Sequence, residues 1–295
     1  LTPQGSSFRD LEPATHKRQK YGLGCSNVPM RILDIDLDFF LNTVRFWPSF
    51  GRPIDPQLRA WSPDAVRVFL ETRCGLRRDQ PVPGLIVEEH HEIFFDWRQR
   101  IQKGQLQPPF EVVHLDAHAD LGYGDASVPY VLTEVLAQPL EHRAFPRVGG
   151  REGLGPGNYL LFAVACRWIR TLTYVYHPGR YTDLPERIVY RNAQGEGWIA
   201  LPYYGPIAPE LLCQRHKLQP LAVEPPVPYR EVPGTTYINT EGPFDFLYVA
   251  RSPAYTPTEA DRLLEVFLDY LIPDRLTCAA DSLDREYNNS SKFRH

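Results

Sequence analysis

The sequence predicts an α/β domain on a mainly parallel sheet, and three observations carry that prediction. Short apolar stretches alternate with segments of helical spacing along most of the chain. Gly, Pro and capping residues punctuate the boundaries. Polar residues able to do chemistry follow the strands directly, at the carboxyl ends where open parallel sheets carry their functional groups. With 295 residues, 43% hydrophobic and 23% charged, the chain has a globular composition and the length to bury a large core.

Residues 1–29 are polar and irregular, with a basic patch at His16-Lys17-Arg18-Gln19-Lys20, and are expected to form an N-terminal arm. The main domain is placed at 30–273 and a polar C-terminal tail at 274–295. Arg31 to Phe40 alternates strictly: Leu33, Ile35 and Leu37 fall on one face, Asp34, Asp36 and Asp38 on the other. Residues 41–61 form an aromatic, Pro-rich loop. Ser62-Pro63-Asp64 then supplies a cap, a first-position proline and an early acid for a helix that Gly75 terminates. Leu85-Ile86-Val87 is a short strand running into Glu88-Glu89-His90-His91-Glu92. Ile93, Phe94, Trp97 and Ile101 continue that stretch at helical spacing as far as Gly104.

Glu111 to Asp116 is the next strand and opens Asp116-Ala117-His118-Ala119-Asp120. A short helix is expected at 130–137. Residues 149–157 form a glycine-rich loop lacking the pattern of a phosphate-binding loop, expected at the mouth of a site. Asn158 opens a helix running through Ile169, as a cap or as a substrate contact, the cap being preferred. Thr171 to Tyr176 is a strand ending at His177-Pro178. Ile188 to Tyr190 and Trp198 to Ala200 form a hairpin. The stretch 220–234, with Pro225, Pro226, Pro228 and Pro233, is expected to be a loop. Phe244 to Ala250 is the final buried strand, and Thr256-Pro257-Thr258-Glu259 starts a last helix, stopped by Pro273.

A formal charge of −4 without a basic cluster in the domain argues against nucleic acid as partner. No apolar run approaches the ~18 residues of a membrane span. The five cysteines are scattered and odd in number, against a disulfide framework and a zinc ribbon, so a reducing cytoplasm is the expected compartment.

Alternation aims Asp116, His118 and Asp120 to one side of an extended chain. Mixed carboxylate and imidazole donors suit Mn, Zn or Fe better than Ca or Mg. Alone, this motif reads equally as a buried strand ending in a polar turn. The aspartates of the first strand decide between the two, because aspartate is a poor strand former and three in alternation destabilise a strand that holds no cation. His90, at a strand-to-helix junction, adds a further donor.

Together these motifs resemble the arginase–agmatinase superfamily, and most closely an arginase-like branch that includes the peptide arginases of ribosomal-peptide biosynthesis. The resemblance rests on Val87-Glu88-Glu89-His90-His91-Glu92 before a helix, on Asp116 to Leu121, and on Leu33 to Phe40. Tyr176-His177-Pro178, Ala250-Arg251-Ser252 and Tyr255-Thr256-Pro257 add to it, so that the matches span residues 31 to 272. It implies a three-layer αβα, arginase/deacetylase-like fold and two Mn2+ ions per chain, with other divalent metals open. It places His90, Asp116 and Asp120 around one ion and His118, Asp116 and Asp38 around the other, Asp36 and Asp116 bridging. Asp120 would also orient a hydroxide. Asp34, deeper in the strand, would orient a ligand from behind, and His91 would do so or serve the helix. His177 is the candidate proton shuttle, or else a packed histidine before a proline.

Two departures stand out. In ordinary arginases the Asp-x-Asp strand follows the other two motifs; here it comes first. Ordinary arginases also present a glutamate to the guanidinium near the end of the last strand, where this chain has Val249-Ala250-Arg251-Ser252. Glu241 or Glu259 are the candidates to replace it, although Glu259 also reads as a helix-start residue. The implied activity is hydrolysis of arginine side chains in a peptide to ornithine and urea. Alternatives are a small-molecule ureohydrolase or deacetylase-like amidohydrolase, and a metal-stapled peptide-binding protein without chemistry.

Overall fold

The computed structural model describes residues 28–207 and 218–273; the N-terminal arm up to residue 27 and the tail at 274–295 lie outside the described residues. Strand β1 (Arg31–Asp36) passes into a 3-10 turn at Leu37–Phe40. Helix α1 (Pro63–Phe69) is capped by the Ser62 hydroxyl, which accepts from the Ala65 amide. A wider turn, Leu70–Cys74, extends it to Gly75 in the left-handed conformation. Strand β2 (Val82–Val87) leads through His90 into α2 (Glu92–Gln102). Strand β3 (Phe110–Asp116) carries the Asp-x-His-x-Asp motif at its end. Then follow α3 (Ser127–Tyr130), α4 (Tyr159–Ala165), β4 (Ile169–Tyr176), β5 (Val189–Arg191), β6 (Gly197–Ile199), β7 (Pro202–Tyr203) and β8 (Ala222–Val223). The described chain closes with β9 (Val227–Pro233), β10 (Phe246–Ala250), a 3-10 segment at Thr258–Leu263, α5 (Leu264–Leu268) and β11 (Leu271–Pro273).

Nine strands form one sheet in the order β11-β2-β10-β1-β3-β4-β9-β6-β5, and β7 pairs with β8 separately. The pairings from β11 to β9 are parallel; the β9–β6 and β6–β5 pairings are antiparallel. The sheet is thus mostly parallel, as the sequence predicts, and β1 lies in its interior between β10 and the central strand β3. Gly84 shows how closely β2 and β10 approach: a Cβ there would sit 1.7 Å from the Leu247 carbonyl oxygen.

Period-two alternation divides the core between two faces. Leu33, Ile35, Val113, Leu115, Leu247 and Val249 pack with Val66 and Phe69 of α1 and Val266 and Phe267 of α5. Ile32, Val112, Leu172 and Tyr248 pack with Phe94 and Trp97 of α2 and Leu160 to Ala165 of α4. Helices on both faces make a three-layer α/β arrangement. Burial of each large apolar side chain contributes about 1.5–3 kcal/mol. That large apolar contribution is what can hold a strand whose Asp34, Asp36 and neighbouring Asp38 are at most 4% exposed.

Several elements depart from the sequence expectation. The helix from Asn158 ends at Ala165, not Ile169: Arg167 turns the chain at φ 58 and Ile169 already belongs to β4. One apolar run had merged a buried helix with a buried strand. The stretch 220–234 is no loop but contains β9, which joins the sheet between β4 and β6. Its prolines sit at Pro228, next to the strand start, and at Pro233, its end, where a missing N–H is tolerated. Strand β10 is not the last, because β11 follows and pairs with β2 at the sheet edge. Pro273 therefore ends a strand, and the last helical turn stops at Leu268.

Candidate metal centre

The carboxyl ends of β1, β2, β3 and β10 bring together what the sequence scatters. Asp36 ends β1 and Asp38 follows in the 3-10 turn. His90 lies three residues past β2, and Asp116 ends β3 ahead of His118 and Asp120. Asp120 and Ser252 adopt φ 50 and φ 47, left-handed values uncommon outside glycine that recur at functional sites.

His90 is the pivot. Its Nε2 lies 2.9 Å from Asp34 Oδ1. Its Nδ1 faces three carboxylate oxygens: Asp36 Oδ2 at 3.3 Å, Asp116 Oδ2 at 3.1 Å and Asp120 Oδ2 at 3.1 Å. Yet this buried nitrogen makes no hydrogen bond to any of them. His118 repeats the pattern. Its Nε2–H donates to the Arg45 carbonyl at 2.8 Å, and its Nδ1 faces Asp38 Oδ2 at 3.1 Å and Asp116 Oδ1 at 3.5 Å. In both rings the outer hydrogen bond fixes Nε2 as the protonated nitrogen and leaves Nδ1 to the carboxylates, the arrangement characteristic of metal-ligating histidines.

Two groups follow, Asp36–His90–Asp116 and Asp38–Asp116–His118, each with potential ligand atoms all within 4.8 Å of one another. They share Asp116. The donor set and the orphaned His90 Nδ1 and Asp38 Oδ2 fit a divalent cation. His114 also falls within ligand reach of Asp34–His90 and of Asp116–Asp120. Its Nδ1, however, lies 3.0 Å from Asp34 Oδ2 and its Nε2 3.1 Å from the His118 carbonyl, so both nitrogens face acceptors. Burial disfavours its charge, but Asp34 and Asp116 outweigh that and push its pKa up to about 8. His114 is thereby held behind His90 and Asp116 by Asp34 and the His118 carbonyl.

The remaining electrostatics report crowded charge. Burial and then the Asp38 charge raise the Asp36 pKa; burial and then Asp116 raise that of Asp38. Burial and Asp116 push the Asp120 carboxyl up to about 7. Asp116 stays below the ordinary range: burial and Asp36 act against it, but His118 and His90 prevail. Burial works against protonation of His90 and His118, yet the surrounding carboxylates raise both well above the usual imidazole value, with Tyr159 contributing at His90. Cation uptake near pH 7 is therefore expected to displace protons from the imidazoles, and affinity to weaken as pH falls through 7 and Asp120 gains its proton. Calorimetric titration of Mn2+ in buffers of different ionisation enthalpy measures this; a buffer-independent heat would contradict it.

The cluster floors a cavity of about 220 Å³ whose walls include Phe46, Trp47, Tyr123, Asp183, Ser252 and Tyr255. Pro156 and Gly157 place the glycine-rich loop at this cavity. Asn158 braces that loop instead of capping α4: its Oδ1 accepts from the Gly155 amide at 2.8 Å, and its Nδ2 donates to Asp125 at 2.9 Å and to the Gly153 carbonyl at 3.0 Å.

Several residues named from sequence fall elsewhere. His177 is packed edge-on to Phe39, its Nε2 on the Leu41 carbonyl at 2.9 Å and its Nδ1 accepting from the Gly179 amide at 2.9 Å. Both nitrogens are thus held by backbone, and His177 forms no wall of the cavity. His91 immediately precedes α2 and packs edge-on with Phe95, outside the cluster. Glu241 pairs with Arg31 and Arg230 at the opposite end of the sheet, beside a larger cleft of about 1040 Å³. That cleft carries none of the cluster residues. Glu259 sits on the 3-10 segment and pairs with Arg262. Neither glutamate reaches the cavity.

Residues assigned no role from the sequence complete the site. The Tyr159 hydroxyl donates to Asp34, and the Ser252 hydroxyl to Asp36. Tyr255 packs on the His118 ring, centroids 4.6 Å apart. Asp183 accepts from the Ala119 amide at 2.6 Å.

No family model, curated protein or solved structure matches this chain. Fold and site therefore define its class: a mostly parallel α/β protein with buried Asp/His groups that could hold a metal ion. No helix among the described residues is long and apolar enough to cross a membrane.

Proposed function

We propose that this protein is a divalent-metal hydrolase, most simply a binuclear manganese one, that converts arginine side chains of a peptide to ornithine with release of urea. The observation that carries the reading is the pair of triads joined through Asp116. His90 with Asp36, Asp116 and Asp120 would hold one cation; His118 with Asp38 and Asp116 would hold the other. Bound divalent ions would supply Lewis acidity, lowering the pKa of water enough to give a nucleophile near neutral pH.

The chain's own residues do the rest. Asp34 and the Arg45 carbonyl hold the two imidazoles in register. Asp120, whose Oδ2 lies 3.1 Å from His90 Nδ1 at the cluster, would take a proton from the attacking water and return it to the departing amine. Attack on the guanidinium carbon breaks its bond to the side-chain nitrogen, which leaves as the ornithine amine, and the carbon departs as urea. Support for a peptide comes from the mouth of the cavity. Phe46 there contacts Trp47, Tyr123 and Tyr181, and the last three keep 63%, 49% and 57% of their surface exposed. Exposed aromatic clusters of this kind suit a chain lying across the opening.

The test is urea release from an arginine-containing peptide, from free arginine and from agmatine, with and without Mn2+. Manganese-dependent urea from the peptide is the expected result. Release only from the small substrates would reassign the enzyme to small-molecule ureohydrolysis. No urea from any of them, in protein holding two metals, would sink the reading.

A further inference from the structure

We infer that Asp183 is the carboxylate that receives the cationic head of the substrate, the role for which the last strand offers no acid. This rests on the hydrolase reading above and deepens it. Four acids line the cavity: Asp36, Asp116, Asp120 and Asp183. The first three are turned on His90 Nδ1. Asp183 belongs to none of the metal-capable groups found among the described residues. It is 6% exposed, and its two oxygens are used differently. Oδ2 accepts from the Ala119 amide at 2.6 Å, while Oδ1 is buried without a hydrogen-bond partner.

An unsatisfied buried carboxylate oxygen is costly, and such groups persist in folded proteins where a ligand or ion completes them. The Ala119 contact fixes the position of this one, because Ala119 lies between His118 and Asp120. Asp183 is thereby tethered beside the cluster, where a side chain reaching for the metals would bring its charged planar end. A guanidinium offers several N–H donors in one plane, so it can satisfy Oδ1 while presenting its carbon to the cluster. Phe46, Trp47 and Tyr255 on the walls supply aromatic surface that favours a cation over a neutral group. Glu88, which follows β2 at this edge, is already paired with Arg251.

The experiment separates recognition from chemistry. Two blocked Gly-Gly-X-Gly-Gly peptides differ only at the side-chain end of X, one carrying an amidinium and the other the isosteric neutral amide. Neither contains the carbon–nitrogen bond that links the side chain to a guanidinium. Their binding to the manganese-loaded full-length protein is measured by calorimetry, beside metal content. The wild type should prefer the amidinium by roughly tenfold or more, the scale of a charge-assisted hydrogen bond in a buried site. Asp183→Asn should reduce the preference to less than about threefold with metal content unchanged. Asp183→Ser, a smaller neutral side chain, should do the same and serves if the asparagine protein does not fold. A wild type without preference for the cation, or variants that keep it, would overturn the assignment. Cation preference that depends on Asp183 in a protein releasing no urea would leave the assignment standing and remove only the hydrolase reading.

Discussion

Asp116→Asn is expected to lose bound metal and hydrolytic activity together. Asp116 is the one residue common to both triads, its Oδ2 near His90 and its Oδ1 near His118. An amide there keeps the shape but removes a full charge from each group. Opposite unit charges 4 Å apart attract by about 4 kcal/mol at an effective dielectric of 20, so each site loses a term of that order. The metal-free protein should lose stability as well. Asp116 helps raise the carboxyls of Asp38 and Asp120, but His118 and His90 hold its own carboxyl below the ordinary range, so its charge stabilises the fold on balance.

The two effects are separable by chelation. Wild-type protein with free Mn2+ at a hundred times its dissociation constant gains about 2.7 kcal/mol from one site alone. Removing the metal with EDTA should then lower Tm by roughly 5–10 °C. Asp116→Asn should show almost no chelator effect and a Tm below that of metal-free wild type. Two metals retained by the purified variant would show that the shared-carboxylate arrangement is wrong.

Which parts of this site could be read from the sequence follows from what the chain repeats locally. Asp34, Asp36 and Asp38 were legible because a strand's period of two made their common side visible. His90 and the Asp116 motif stood out because each follows a strand end. Asp183 gave no such signal, and Ser252 and Tyr255 stood out only as parts of the resemblance, with no role attached. They lie in irregular segments, and only the fold brings them to the cavity. Tyr159 was hidden for the opposite reason. It opens a helix in which every residue is buried, so nothing marked the one hydroxyl that reaches Asp34. His114 was masked by its strand, where one histidine among apolar neighbours looks like packing.

The fold followed the same division. Its parallel core was visible in the alternation of strands and helices, whereas β9 was obscured by prolines that mark loops more often than strands. The sequence offered Glu241 and Glu259 as guanidinium partners because acids near the last strand were sought along the chain. In space Glu241 lies at the other end of the sheet, turned to Arg31 and Arg230. Proximity to a strand in sequence does not say which end of it a loop occupies.

Asp34 gives the second large effect, and it separates orientation from ligation. Asp34 is fully buried and touches no cavity wall, yet it holds His90 Nε2 through Oδ1 and His114 Nδ1 through Oδ2, with the Tyr159 hydroxyl also on Oδ2. Burial acts to raise its carboxyl, but His90 and His114 overcome that and hold it well below the ordinary range. Asp34→Ala removes the acceptor common to both rings. His90 is then free to rotate or to carry its proton on Nδ1, and His114 loses the counter-charge beside it.

Metal affinity should fall by about 10–100-fold, as when the partner of a ligating histidine is removed. The metal-free protein should lose about 3–5 kcal/mol, because a buried charge is left unpaired. Asp34→Asn should be much milder. Its amide oxygen can still accept from His90 Nε2–H, while its NH2 donates to His114 Nδ1, which can give up its proton because Nε2 keeps the His118 carbonyl. The pair is read by Mn2+ titration and denaturant unfolding. If alanine and asparagine weaken metal binding equally, charge rather than orientation is what Asp34 provides. If alanine leaves affinity unchanged, His90 is not held from behind, and its Nδ1 is not the donor that the first triad requires.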